Sequence, residues 1–265
     1  MARHSRPSKS RPSKMGRKWT QDDVLAYKIK VVHQDLETFF GVTVLPHPNI
    51  EGSCLNGFSA QDFAAAKEPW TSTMLRYINR VTHATEPYDR ESTTIDFVRE
   101  LFCILRYADE LQKRVLMRVG LCYMEYRGRP PQVDICVLGN AQVDDILLVV
   151  KVDRHSRGFD PEARLISETI AAFQNNNGIR VKRLRIDPLI SKVMPGIVMD
   201  GTMPTFYKIP VTPELVKAVE SGERPEEETV VYVYRPDVPR PEEGMRPLDN
   251  RYILLSCFEA FRKFL

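Results

Sequence analysis

The chain has 265 residues, of which 43% are hydrophobic and 28% charged, and its formal net charge at pH 7 is +3. This length and apolar content predict a globular protein of one large domain or two small ones. The longest uninterrupted aliphatic run, 146–150, is far shorter than the roughly 20 residues that cross a bilayer, and the amino terminus does not resemble a secretory signal. We therefore expect a cytoplasmic or nuclear protein without membrane contacts.

Several classes of site are disfavoured because their motifs are missing. The five cysteines are scattered and include no C-x-x-C pair, so buried free thiols are expected rather than disulfides or a zinc site. The sequence also lacks the G-x-S-x-G, G-x-x-x-x-G-K-[ST] and G-x-G-x-x-G patterns. Their absence disfavours an α/β-hydrolase, a P-loop NTPase and a dinucleotide enzyme.

Positive charge is concentrated in the first 18 residues. Residues 1–18 hold seven Lys and Arg and no acid, which leaves 31 of the 38 basic residues against 35 acidic ones in the remainder. This tail repeats Arg-Pro-Ser-Lys and has almost no apolar residue, so we expect it to be disordered. It is interpreted either as a nuclear address or arm that binds nucleic-acid phosphates, or as a solubilising tail.

Residues 20–41 have the periodicity of an amphipathic helix. Thr20 and Asp23 have the spacing of a capping box, and Gly41 is placed to end the helix. The apolar residues that recur at helical spacing are Leu25, Ile29, Val32 and Leu36. We predict one packing helix here, then a loop and a short helix over 59–67.

The central part of the chain alternates between helical and strand patterns. Apolar periodicity, turn residues and helix caps predict one helix, three strands and a second helix. These elements are predicted over 92–108, 114–127, 133–138, 146–152 and from 160 to about 174.

Ionisable residues lie on the last two of these strands. Asp134 stands between Val133 and Ile135, where a carboxylate needs an ionic partner, a metal or water. Side chains alternate along a strand, so Lys151 and Asp153 project from one face. We therefore expect Asp134, Lys151 and Asp153 to converge at one edge of the sheet.

The remaining segments predict an extension of the same α/β architecture. They are a strand over 181–186, a hairpin over 197–211 that turns near Gly201, a helix from Thr212, a strand over 229–234, a proline-rich linker over 235–247 and a helix over 248–265. The polar face of the last helix is mixed in sign, so we expect it to dock on the sheet. The simplest organisation is one α/β domain over 19–265.

The order of the central elements resembles the PD-(D/E)xK, or restriction-endonuclease-like, nuclease superfamily. The resemblance covers about residues 92–186 and implies a central mixed sheet flanked by helices, with 187–265 as a C-terminal hairpin-helix extension. In that superfamily, two strand acids bind one or two Mg²⁺ and a lysine two positions after the second acid helps to activate water. The resemblance implies Asp134 as a metal ligand, Lys151 as the water-orienting cation and Glu100 as an accessory ligand.

The motif departs from the superfamily pattern around the lysine. Val149 stands where the second acid is expected, and Asp153 follows Lys151, which gives K-x-D in place of (D/E)-x-K. Positions 151 and 153 lie about 7 Å apart on one face of a strand, so the transposed Asp153 is predicted as a ligand beside Asp134. Alternatively, Asp134 and Lys151 form a structural cross-strand ion pair while Asp153 caps the strand.

Two functions follow from these patterns. The leading one is a Mg²⁺-dependent nuclease that acts on DNA or RNA and contacts nucleic acid through its basic tail. The alternative is a catalytically inactive nuclease fold that serves as a nucleic-acid-binding or protein-interaction module. Glu168, on the predicted helix after the lysine strand, is placed equally well at the site or on a solvated face.

Overall fold

A computed structural model describes residues 19–50, 69–108, 113–122, 131–139 and 143–265. Within these ranges the strands are β1 (Ile29–His33), β2 (Arg114–Gly120), β3 (Gln132–Leu138), β4 (Ile146–Val152), β5 (Lys192–Asp200), β6 (Met203–Val211) and β7 (Thr229–Tyr234). The α-helices are α1 (Gln21–Ala26), α2 (Leu36–Phe40), α3 (Pro69–His83), α4 (Pro87–Ile104), α5 (Pro161–Gly178), α6 (Pro213–Ser221) and α7 (Leu248–Phe261).

The strands form one mixed sheet in the order β1-β7-β6-β5-β4-β3-β2. Two neighbouring pairs, β4 with β5 and β1 with β7, run parallel, and the other pairs run antiparallel. Parallel neighbours need a crossover connection, and α5 supplies it between β4 and β5. The predicted class, an α/β protein with a central mixed sheet flanked by helices, is therefore confirmed.

Helices cover both faces of the sheet, so β4 is buried on both sides. Val150 and Val152 pack into a core with α3, α4 and α7, whereas Val149 packs into a second core with α5 and α6. Each fully buried aliphatic side chain stabilises the fold by roughly 1.5–3 kcal/mol. Lys151 follows Val149 by two residues and therefore points toward α5, away from the first core.

The single helix predicted for residues 20–41 is wrong. The capping box of Thr20 and Asp23 is present, but α1 ends after six residues and Lys28 has a φ of +49°. The next five residues form β1, which pairs in parallel with β7. Their β-branched side chains favour a strand once a partner strand is available, and this pairing outweighs the helical spacing of the apolar residues.

The strand predicted over 181–186 is also wrong. Helix α5 runs past the predicted stop and continues as one wider, π-helical segment, Ile179–Leu184, which ends where Arg185 has a φ of +58°. The side chain of Asn177 accepts a hydrogen bond from the Leu189 N–H and donates one to its carbonyl, at 2.7 and 3.1 Å. These bonds tie the helix to the following loop, so the chain does not turn into a strand here.

Other predicted elements are present. The hairpin of β5 and β6 turns at Gly201, α6 begins after Thr212, and α7 buries Leu255 and Phe258 against the sheet as expected for a docked helix. Helix α3 was not predicted. The tail 1–18, the predicted helix 59–67 and the end of the first predicted central strand lie outside the described residues. No helix in the described part of the chain is long and apolar enough to cross a bilayer.

Candidate functional site

Asp134 and Lys151 meet across two central strands. Strands β3 and β4 are antiparallel with Ile135 opposite Val150, and continuing that register by one residue places Asp134 opposite Lys151. The Lys151 Nζ lies 3.2 Å from Asp134 Oδ1 and 3.1 Å from Oδ2. Both side chains are almost fully buried, at 3% and 7% exposure. The structure thus brings these two predicted site residues into direct contact.

The Asp134 carboxylate is held in place by the backbone of the neighbouring strand. Its Oδ2 accepts a hydrogen bond from the Val152 N–H at 3.0 Å, while Arg154 Nη2 lies 3.8 Å from Oδ1. A hydrogen bond to an ionised acceptor is stronger than one between neutral groups. The strand therefore fixes the carboxylate before any ligand arrives.

A second carboxylate reaches Lys151 from the crossover helix. Glu168 lies on α5, and its Oε1 is 2.7 Å from the Lys151 Nζ. Its Oε2 is buried without a hydrogen-bond partner, although the side chain as a whole is 12% exposed. Burial raises the pKa of the Glu168 carboxyl from its ordinary value of 4.5 to about 7, with nearby Asp134 adding to the rise and Lys151 opposing it. Lys151 is thus enclosed by two acids, one of which has a raised pKa.

Cationic side chains surround an aromatic ring beside Asp134, Lys151 and Glu168. Phe159, in the loop between β4 and α5, has Arg164 4.0 Å, Arg154 5.4 Å and Lys151 5.8 Å from its ring centre. Arg154 also pairs with Glu91 on α4, with 2.7 Å between Nη2 and Oε1. The site therefore joins groups from α4, β3, β4, α5 and the intervening loop.

The other two predicted ligands have different surroundings. Asp153 accepts a hydrogen bond from the His155 N–H at 2.8 Å, and among the described residues it forms no ion pair. Glu100 forms its ion pair with the adjacent Arg99, at 3.8 Å. Nine residues, or about two and a half helical turns, separate Glu100 from Glu91, so these two acids lie on opposite sides of α4. The α4 acid beside the cluster is Glu91; ligand roles for Asp153 and Glu100 remain predictions.

Sequence reasoning missed Glu91 and left Glu168 undecided. A signal for Glu168 was available in the sequence, because it is the single charged residue in Leu165–Phe173, a segment that is otherwise apolar apart from Ser167 and Thr169. A single acid within a helix that is buried nearly all round needs an ionic partner. No comparable local signal marks Glu91, because its position depends on how α4 packs against the end of β4.

Chemically, the cluster offers carboxylate oxygens, an ammonium and guanidinium groups within one small volume. In the described ranges, no group of three or more His, Cys, Asp and Glu side chains is arranged to hold a metal ion. Within the cluster, Asp134 and Glu168 share a contact with the Lys151 Nζ.

No protein-family model matches this chain, and a search of curated proteins finds no significant match.

Proposed function

We propose that this protein is a Mg²⁺-dependent, nuclease-like hydrolase of phosphodiester bonds in DNA or RNA. The observation that carries the proposal is the contact of the Lys151 Nζ with both Asp134 and Glu168. The resemblance to PD-(D/E)xK nucleases requires two acids and a lysine at one sheet edge, yet β4 has Val149 where the second acid is expected. Glu168, on the adjacent helix α5, contacts Lys151 and would take the place of that missing acid.

The residues present fit a divalent cation. Mg²⁺ is usually held by one or two carboxylates together with substrate phosphates, and Asp134 and Glu168 provide two carboxylates. The Glu168 Oε2, buried and without a hydrogen-bond partner, is a donor oxygen available to such an ion. When bound, the cation would lower the pKa of a coordinated water and offset negative charge on the phosphate.

The side chains of the chain have separate parts in the proposed reaction. Asp134, fixed by the Val152 N–H, would hold the cation. Lys151 orients the attacking water and stabilises the negative charge that develops on the phosphate oxygens. Glu168 would supply the second carboxylate to the cation through Oε2, while its Oε1 keeps the hydrogen bond from the Lys151 Nζ.

A specific observation also supports the alternative of a catalytically inactive fold. Asp134, Lys151 and Glu168 are only 7%, 3% and 12% exposed, as expected for a buried ion cluster that stabilises one arrangement of strands and helix. In that case nucleic acid or protein binding would be the function. The tail 1–18 supports a nucleic-acid partner and a nuclear location under either proposal.

Cleavage of labelled single- and double-stranded DNA and RNA tests the proposal. The full chain is compared with Asp134→Asn and Lys151→Ala in Mg²⁺, Mn²⁺ or EDTA, and circular dichroism verifies folding. We expect metal-dependent cleavage by the wild type and a loss of at least about 100-fold in each variant. Cleavage that survives both substitutions, or that persists in EDTA, would remove this cluster from the mechanism. Binding without cleavage would favour the inactive module.

A further inference from the structure

Phe159, in the loop between β4 and α5, has two guanidinium groups beside its ring. Arg164 lies 4.0 Å and Arg154 5.4 Å from the centre of the Phe159 ring. Aromatic faces attract cations, which offsets part of the repulsion between the two positive charges. The result is a pair of neighbouring guanidinium groups directly beside the cluster of Asp134 and Lys151.

Arg164 has a hydrogen-bond donor without a partner. It forms no ion pair with any described residue, and its Nε is buried without a hydrogen-bond partner. Burial and the neighbouring positive charge of Arg154 lower the pKa of its guanidinium. Because the side chain is partly exposed, a ligand with negative charge can approach the guanidinium group and counter this repulsion.

Arg154 shares this property in part. Its Nη2 contacts Glu91 and approaches Asp134, but its Nε is also buried without a partner. The side chain is 37% exposed, so its guanidinium group can be reached from solvent. Both arginine side chains are thus partly exposed, each has a buried Nε without a partner, and the Phe159 ring lies beside both guanidinium groups.

We infer that Arg154 and Arg164 bind a backbone phosphate of a polynucleotide, next to the phosphodiester bond that would be hydrolysed at Lys151. A phosphate supplies several acceptor oxygens and a negative charge, and the planar guanidinium forms paired hydrogen bonds with it. The choice of a polynucleotide rests on the proposed function. Phe159 and the two flanking arginines then serve to place the substrate, while Asp134, Lys151 and Glu168 act on the bond.

Binding without cleavage tests this inference. Fluorescence anisotropy of labelled oligonucleotides is measured with the full chain in EDTA over a range of KCl concentrations. The variant is Arg164→Gln, and the control is Arg262→Gln, which removes an arginine paired with Glu259 after α7, on the other side of the sheet. We expect Arg164→Gln to weaken binding about tenfold and to reduce the salt slope by about one, while the control changes neither.

A third variant guards against misfolding. Arg164→Lys keeps the charge and the packing stem but loses the guanidinium fork, so it should retain the wild-type salt slope with several-fold weaker affinity. Equal binding by Arg164→Gln, Arg164→Lys and Arg262→Gln would overturn the inference.

The same variants separate this inference from the proposed hydrolysis when cleavage is measured in Mg²⁺. If the wild type does not cleave but Arg164→Gln weakens binding, hydrolysis is rejected and the phosphate site is supported. If the wild type cleaves and Arg164→Gln changes neither binding nor the cleavage rate, hydrolysis is supported and the phosphate site is rejected.

Discussion

Lys151 is a buried cation whose charge is balanced by two acids. Its Nζ lies 2.7 Å from Glu168 and 3.1 Å from Asp134. Removing one partner from a buried ion cluster leaves uncompensated charge, which usually costs about 3–5 kcal/mol. We therefore expect Lys151→Met to lower the free energy of unfolding by about that amount, measured by urea denaturation.

A matched triple variant separates charge from shape at this position. Combining Lys151→Met with Asp134→Leu and Glu168→Leu removes the whole cluster, and such replacements are often neutral or stabilising. We expect the triple variant to recover most of the stability that Lys151→Met loses. Equal stability of Lys151→Met and the wild type would show that the two acids are not held together by the lysine.

Glu168 gives the stability of the protein a particular dependence on pH. Its pKa is raised by burial from 4.5 to about 7 in the folded protein, so over this interval the folded protein holds a proton that the unfolded chain has released. The contribution of Glu168 to the free energy of unfolding is thus full below about pH 4.5 and is lost as the pH rises through about 7, by at most about 1.4 kcal/mol per pH unit.

Thermal denaturation of the wild type and Glu168→Gln in EDTA from pH 4 to pH 8 measures this dependence. The difference in stability between the two proteins should change in favour of the variant as the pH rises through the interval. A difference that stays constant with pH would show that the Glu168 carboxyl titrates normally.

At the scale of single residues, the sequence predicted those site residues whose positions follow from alternation along a strand. Alternation along β4 places Lys151 on one face, and the isolated Asp134 required a partner. Glu168 and Glu91 could not be assigned in this way, because their distance from Lys151 and Arg154 depends on how two helices pack against the sheet. Whether Glu100 reaches the site depends in the same way on how α4 packs, and its role as an accessory ligand stays a prediction of the resemblance.

At the scale of elements, Asn176 ties α5 to the start of β4. Its buried side chain accepts a hydrogen bond from the Ile146 N–H at 2.8 Å and donates one to the Ile146 carbonyl at 2.9 Å. Asn176→Ala would leave both backbone groups unpaired, and we expect a loss of about 2–4 kcal/mol in the free energy of unfolding. Asn177→Ala breaks the equivalent bonds to Leu189 at a half-buried position and should cost less. Similar losses in both variants would contradict the role assigned to burial.

Elements were predicted best where local pattern and tertiary partners agree. The hairpin of β5 and β6, the strand β4 and the capped helix α6 follow from turn residues, β-branched runs and a Thr-Pro start. The prediction for Ile29–His33 was wrong because the helical spacing of its apolar residues competes with parallel pairing to β7, which is remote in sequence. The prediction for the region after Gly178 was wrong because side chains of α5 hold the chain in a helix that residue preferences alone would end.

At the scale of the whole molecule, the sequence predicted an α/β class but not the strand order. Two parallel pairings, β4 with β5 and β1 with β7, join segments separated by a helix or by most of the chain. The first follows from the crossover helix. The second brings the amino-terminal strand to the far edge of the sheet, and nothing local to either strand encodes it.

The uneven distribution of charge along the chain predicts how nucleic-acid binding depends on the tail. Residues 1–18 carry seven of the basic residues, and the remainder has a small acidic excess. Deleting the tail should weaken nucleic-acid binding and flatten its dependence on salt, because fewer phosphate counterions are released. Binding isotherms over a range of KCl concentrations measure this, and an unchanged slope would argue against the tail as a phosphate contact.

The most direct test of the account is the cleavage rate of Glu168→Gln in Mg²⁺, measured under single-turnover conditions against the wild type and the control Glu259→Gln. In the proposed site Glu168 takes the place of the missing strand acid, whereas Glu259 forms an ion pair with Arg262 near the end of α7. The account predicts metal-dependent cleavage by the wild type and the control, and a loss of at least about 100-fold in folded Glu168→Gln. Cleavage by Glu168→Gln at the rate of the control would contradict it.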